Sequence, residues 1–176
     1  MLQELVIAGF GGQGVMLMGQ LLSYAGMYEG KNVSWIPSYG PEMRGGTANC
    51  SVVISSDEIG SPLVNDPSTL IAMNRPSLDK FEATVKPGGL IIYNSSLIDR
   101  KPTRTDVTVI AVPANELAQE LGNNRVANMI VLGTYVKATG CVSPDTIIDV
   151  FRKKMASKAA LLPINQAAIS KGAELA

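Results

Sequence analysis

The chain has 176 residues, 46% of them hydrophobic and 17% charged, which suits one domain spanning residues 1–176 with a sizeable core rather than two. Fifteen Lys and Arg balance fifteen Asp and Glu, so the charge offers no footprint for nucleic acid or for an anionic membrane. With no histidine and only two cysteines, the composition excludes Ser-His-Asp and Cys-His mechanisms, a disulfide scaffold and a four-thiolate iron–sulfur cluster.

Proton transfer is left to Asp, Glu, Lys, Tyr or Cys, and a zinc site would have to rest on two thiolates and carboxylates, so no metal site is predicted. Zero net charge with a mean hydropathy of +0.18 gives little self-repulsion and favours burial of some surface in a complex. The start, Met1-Leu2-Gln3-Glu4-Leu5, lacks the basic and apolar regions of a signal peptide. No apolar run approaches the ~20 residues that span a bilayer, and a cytoplasmic location is predicted.

Leu5-Val6-Ile7-Ala8 is a continuous apolar run ending at glycines, the pattern of a strand buried on both faces of a parallel sheet. A helix follows over residues 13–28, with Val15, Met18, Leu22 and Ala25 at helical spacing. Gly19 and Gly26 inside it imply close approach to another backbone or to the sheet. A second strand, residues 32–36, completes a β-α-β unit. The prolines and glycines of residues 37–46 exclude regular structure, and a connection of that length tends to carry function.

Residues 47–55 alternate as a strand, with Ala48, Cys50, Val52 and Ile54 on one face. Strands are further predicted over residues 69–73, 90–93 and 107–112, with a helix from residue 75 to about 85 opened by Pro76. The remainder reads as helical: residues 114–121, stopped by Gly122; 125–139, stopped by Gly140; 143 to about 155, capped by Ser143; and 158–171, interrupted at Pro163 and ended by Gly172. The expected fold is α/β, Rossmann-like and doubly wound, with a mostly parallel sheet and a helical C-terminal portion.

Gly9-Phe10-Gly11-Gly12-Gln13-Gly14 contains G-x-G-x-x-G between a strand and a helix, the context in which a dinucleotide pyrophosphate meets a helix N-terminus. An NAD site also needs an acidic residue at the end of the second strand. Here that strand ends in Trp35-Ile36-Pro37-Ser38, with neither carboxylate nor arginine. Two readings stay open: glycines serving only the tight turn, or Gly9, Gly11, Gly12, Gln13 and Gly14 holding an anionic group. In the following loop, Arg44 could present a guanidinium to a phosphate or carboxylate, or pair with Glu42 to pin the segment. Cys50 reads as a buried structural thiol and Cys141 as the more exposed one. Trp35 and Tyr39 flank the loop as interface anchors or as packing.

Two longer runs, Ala8-Gly9-Phe10-Gly11-Gly12-Gln13-Gly14 and Ser38-Tyr39-Gly40-Pro41-Glu42-Met43-Arg44-Gly45-Gly46-Thr47, resemble the gamma subunit of 2-oxoacid:ferredoxin oxidoreductases. The resemblance continues through Asn74-Arg75-Pro76-Ser77, Pro87-Gly88-Gly89, Ala127-Asn128-Met129 and Asn165-Gln166-Ala167-Ala168, and so covers the whole chain. It implies an oxidoreductase complex that decarboxylates a 2-oxoacid, makes an acyl-coenzyme A and passes electrons to ferredoxin, with 2-oxoglutarate slightly favoured over branched-chain oxoacids and pyruvate.

The implied partners are alpha and beta subunits, with a delta subunit in some complexes. Those partners would hold the thiamine diphosphate, Mg²⁺ and iron–sulfur clusters, and this chain would carry no cofactor and no catalytic residue. The implied role of Tyr39, Gly40, Pro41, Glu42, Met43, Arg44, Gly45 and Gly46 is a loop facing the active site or a subunit interface, with coenzyme A as co-substrate of the complex. The alternative is a free-standing dinucleotide- or anion-binding Rossmann-like protein.

Overall fold

The computed structural model describes residues 1–38 and 40–176, and of Glu42 the backbone alone. Tyr39 and the Glu42 side chain, both assigned to the loop from sequence, lie outside the described residues. Six strands, β1 (Leu2–Gly9), β2 (Asn32–Ser38), β3 (Ala48–Ser55), β4 (Thr69–Ala72), β5 (Leu90–Asn94) and β6 (Thr108–Val112), form one sheet in the order β2-β3-β1-β4-β5-β6. The pairs β1–β4, β4–β5 and β5–β6 are parallel, while β3 runs antiparallel to both β1 and β2.

Side chains alternate across this sheet as period-two geometry requires. Leu5 and Ile7 of β1, Ile71 of β4 and Ile92 of β5 join the larger core, which also takes Val15, Met18 and Leu22 from α1 (Val15–Tyr28). Val6, Ala8, Leu70, Ala72, Ile91 and Tyr93 face the opposite side and pack on Leu78 of α3 (Arg75–Phe81). Helices therefore cover both faces, and the fold is doubly wound. No helix among the described residues is long and apolar enough to cross a membrane.

The β-α-β unit at the start is interrupted. β2 does not lie beside β1, because β3 pairs with both and occupies the intervening place. The segment 37–46 is more regular than its prolines and glycines suggest: β2 runs on through Pro37 to Ser38, and a single helical turn, α2 (Pro41–Arg44), follows. Pro37 is tolerated because β2 is an edge strand. Gly19 closes against Cys50 and Trp35, where an added Cβ would come within 2.6 Å of the Cys50 sulfur, and Gly26 closes against Val33.

The helical part contains α4 (Ala114–Glu120), α5 (Ala127–Thr139), α6 (Pro144–Lys154) and α7 (Leu162–Ala173), with 3₁₀ turns at Asn124–Val126 and Ala156–Leu161. Residues 127–136 of α5 are all buried, so it is a core helix rather than an amphipathic one. Gly172 does not end the last helix as the sequence suggests. It lies inside α7, where an added Cβ would sit 1.8 Å from the Ile130 carbonyl oxygen of α5, and Gly133 of α5 meets Ile169 of α7 at 2.1 Å in the same way. The missing side chains let two backbones touch. Thr134 donates its hydroxyl to the Gly172 carbonyl at 2.8 Å across the same crossing.

Candidate functional site: a cleft at the carboxyl ends of the strands

The chain leaves β1 for β2 on one side of the sheet and enters β4 and β5 on the other, with α1 and α3 on opposite faces. This is the switch point at which open α/β sheets bind ligands, outside the carboxyl ends of the strands. A cleft of about 550 Å³ lies there, lined by Gly12, Gln13, Gly14 and Leu17 from the glycine turn and α1, Met73 after β4, Asn115 of α4, Asn124, Arg125, Ala127 and Asn128 at the start of α5, and Lys158. None of these residues carries a carboxylate. A larger recess of about 690 Å³ beside Asp66, Arg104 and Asp106 is a shallow groove, and its Arg104 and Asp106 charges already neutralise each other at 2.6 Å.

The glycine turn is held by Gln13. Its Oε1 accepts the Phe10 N–H at 2.6 Å and its Nε2 donates to the Met73 carbonyl at 3.2 Å, tying the turn to the end of β4. Gly9 is buried beneath this side chain, and any Cβ there would come within 2.6 Å of Gln13 Oε1. Gly14 takes the left-handed conformation, φ 77°, just before α1, and no side chain caps the helix. The first N–H groups of α1 thus lack a side-chain cap at an end of the helix that borders the cleft. Gly11 and Gly12 are exposed, with no atom within 4 Å of a Cβ built on either, so the outer side of the turn is free space.

Asn128 faces this helix end. It is only 6% exposed, its Oδ1 accepts the neighbouring Met129 N–H at 3.0 Å, and its Nδ2 makes no hydrogen bond among the described residues. A Cβ on Gly14 would lie 2.2 Å from that Nδ2. Arg125 and Lys158 add two exposed cations at the rim. The polar groups converging here are donors and positive charges around a helix N-terminus, which suits an anion or an acceptor-rich ligand.

The described residues of the loop predicted from sequence are not among those that line this cleft. Gly40, Pro41 and Arg44 line a separate recess of about 350 Å³, and Met43 is 42% exposed beside it. Gly45 is exposed. Gly46 is buried against the Phe10 ring of the glycine turn and accepts hydrogen bonds from Asn74 Nδ2 at 2.6 Å and from the Ser77 hydroxyl at 3.4 Å. Three of the motif runs quoted above therefore meet in space: Asn74-Arg75-Pro76-Ser77 clasps the end of the loop, and Phe10 joins the loop to the turn.

Asn115, Asn124, Arg125 and Lys158 were given no part in the site from sequence, and Asn128 was noted only within a motif. Asn115 and Asn128 sit in the first turn of helices whose starts are marked by Pro113 and by the 3₁₀ turn. The rule that ligands meet the ends of strands could have singled out Asn115, because β6 closes three residues before it. Asn124, Arg125 and Asn128 lie within five positions of one another, but no spacing connects them to the glycine turn, to Asn115 or to Lys158.

The position of β2 also departs from the dinucleotide-binding arrangement: with β3 between them, the end of β2 stands roughly two strand spacings, about 9.6 Å, from β1 rather than beside the glycine turn. Both cysteines are buried, Cys50 on β3 and Cys141 after α5, which corrects the expectation that Cys141 is the more exposed. Burial pushes the Cys50 thiol up to about 11 and also raises that of Cys141, so neither is a poised thiolate. Two isolated core thiols cannot ligate a cluster, and among the described residues no three His, Cys, Asp or Glu side chains gather as a metal site.

Comparison with known proteins bears on the whole chain. Residues 4–175 match the family described as pyruvate ferredoxin/flavodoxin oxidoreductase. The chain is 42% identical over 172 residues to the ketoisovalerate oxidoreductase subunit VorA of Methanothermobacter marburgensis, covering 97% of this chain but only 36% of that protein, about a third of its length. The gamma subunit of a keto/oxoacid ferredoxin oxidoreductase from Geobacter sulfurreducens PCA superposes with a TM-score of 0.85 at 30% identity, covering 98% of this chain and 96% of that one. The 2-oxoglutarate:ferredoxin oxidoreductase of Magnetococcus marinus, solved with 2-oxoglutarate, coenzyme A and succinyl-CoA bound, superposes with a TM-score of 0.89 at 25% identity over 99% of this chain and 31% of that one. The chain belongs to the pyruvate ferredoxin/flavodoxin oxidoreductase family.

Proposed function

We propose that this chain is the gamma subunit of a cytoplasmic 2-oxoacid:ferredoxin oxidoreductase, folding as one domain, and that it takes part in catalysis only within the assembled complex. The supporting observation is a family match along almost the entire chain together with a cleft whose described lining offers donors and the cations Arg125 and Lys158 but no carboxylate, cysteine or hydroxyl side chain. Thiamine diphosphate with its Mg²⁺ and the iron–sulfur clusters belong to alpha, beta and, where present, delta subunits, and ferredoxin is the electron acceptor. The oxoacid side chain is read by those partners, with 2-oxoglutarate and branched-chain oxoacids both represented among the relatives.

Within the complex the cleft at Gly11, Gly12 and Gly14 binds a phosphate-bearing ligand. Coenzyme A is the co-substrate with that chemistry. Phosphate oxygens would meet the N-terminus of α1 and the rim cations Arg125 and Lys158. The loop from Tyr39 to Gly46 presents Met43 and Arg44 to a partner subunit or to its active site.

Expression of the tagged chain alone and with its alpha and beta subunits tests this reading. The isolated chain is expected to show no 2-oxoacid-dependent reduction of ferredoxin, and the assembled complex to show it. Arg44→Ala in the complex is expected to lower turnover about tenfold, the scale of one charge-assisted contact, with the melting temperature of the chain unchanged. Recovery of no thiamine- or cluster-containing protein with the tagged chain would overturn the assignment.

A further inference from the structure

We propose that Asn94, which does not line the cleft, is the positioning residue that makes Asn115 a hydrogen-bond donor to an oxyanion bound there, an inference that rests on the anion-binding reading above. Asn94 closes β5 and is fully buried. Its Oδ1 accepts the backbone N–H groups of Ser96 at 3.2 Å and Ala114 at 3.3 Å. Backbone N–H groups can only donate, so the orientation of the Asn94 amide is determined. Its Nδ2 must then face the other way, where it donates to the Met73 carbonyl at 3.4 Å and to Asn115 Oδ1 at 2.8 Å.

With its oxygen engaged, Asn115 offers the cleft its Nδ2, which donates to nothing among the described residues. Asn128 has the same polarity for a more direct reason: a backbone N–H, that of Met129, occupies its oxygen. Two amides on different helices are thus turned donor-outward, Asn128 by a main-chain N–H directly and Asn115 through Asn94, whose own orientation main-chain N–H groups fix. An oxyanion can accept from both. A cation or a ligand rich in N–H groups would meet only repelling donors. The Met73 carbonyl, which also receives Gln13 Nε2, links this relay to the glycine turn.

A double-mutant cycle on the full chain, with inorganic pyrophosphate as the probe in isothermal titration, tests the relay. In the wild type, Asn115→Ala is expected to weaken pyrophosphate about tenfold. Asn94→Asp keeps the acceptor for Ser96 and Ala114 but puts a second acceptor where Nδ2 was, so Asn115 turns its own Nδ2 inward and its oxygen to the cleft. In that background Asn115→Ala is expected to leave affinity unchanged or to improve it, and the charge at residue 94 cancels because both partners carry it. An equal loss in the two backgrounds overturns the positioning role. Failure of the wild type to bind pyrophosphate overturns the anion-binding reading itself and this inference with it.

The wild type alone provides a second route should Asn94→Asp fail to fold. The side-chain amide resonances of Asn115 and Asn128 are expected to move together on saturation with pyrophosphate. Movement of Asn128 without Asn115 would exclude Asn115 as a ligand donor.

Discussion

Glu82 and Asn128 are each 6% exposed, yet their surroundings differ completely. Glu82, in the 3₁₀ turn after α3, accepts from the Arg100 guanidinium at 2.8 Å, from the Thr103 hydroxyl at 3.0 Å, and from the backbone N–H groups of Thr103 and Arg104. Asn128 has its oxygen taken by the next residue, and its Nδ2 has no partner among the described residues. Burial alone therefore does not separate a polar group that holds the fold from one with a donor to spare. Whether its hydrogen-bonding capacity is filled does. The first cluster is closed on itself, while the second is open on the side of the cleft.

The comparison is sharpest where the closed cluster is broken. Glu82→Ala leaves the backbone N–H groups of Thr103 and Arg104 without their carboxylate and takes from Arg100 one of its two acidic partners, Asp79 remaining, and is expected to cost about 3 kcal/mol in urea unfolding. Its pH dependence has a definite sign. Burial by itself would raise the Glu82 carboxyl, but the hydrogen bonds from Arg100, Thr103 and Arg104 outweigh it and hold the group below the usual carboxylate range. A depressed folded-state value means that the contribution is fully present above the ordinary carboxylate range and is lost as pH falls through the folded value. The acid limb of the stability curve should therefore flatten in Glu82→Gln. An unchanged limb would show that the cluster is not linked to protonation.

At the open cluster, Gly14→Ala tests whether turn and cleft are one object. A side chain at φ 77° costs roughly 1–2 kcal/mol, and its Cβ would displace Asn128 Nδ2. Stability should drop by that amount, and pyrophosphate binding should suffer more than stability does. The smallest effect on folding belongs to Gly11→Ala, where nothing lies within 4 Å of the new methyl. Stability is expected to change by less than about 0.5 kcal/mol. Ligand affinity should still fall, because the methyl enters the space beside the turn. Unaltered affinity would remove the outer side of the turn from the binding surface.

Much of the architecture was legible because apolar runs and helical spacing are properties of single segments. Leu5-Val6-Ile7-Ala8, the alternation from Ala48 to Ile54 and the caps at Ser143 and Gly140 all stand where they were expected. Pairing is a relation between segments, and no local pattern in β3 says that it inserts antiparallel between β1 and β2. Gly172 was misread because a glycine late in a helix usually ends it, whereas here its missing side chain admits a second backbone. For the site, the turn from Gly9 to Gly14 could be read directly. Asn94, Asn115, Asn128 and Lys158 converge only once the sheet and α5 are assembled.

The contact of Gly133 and Gly172 across α5 and α7 has a bearing on precision. Two helices that touch backbone to backbone at these glycines have little clearance to absorb a change in either axis, and Asn128 stands less than two turns up α5 from Gly133. The width of the cleft at Gly14 is thus gauged by the crossing of α5 with α7, so that a methyl-sized shim at Gly172 would be felt as a misalignment of the amide that faces Gly14.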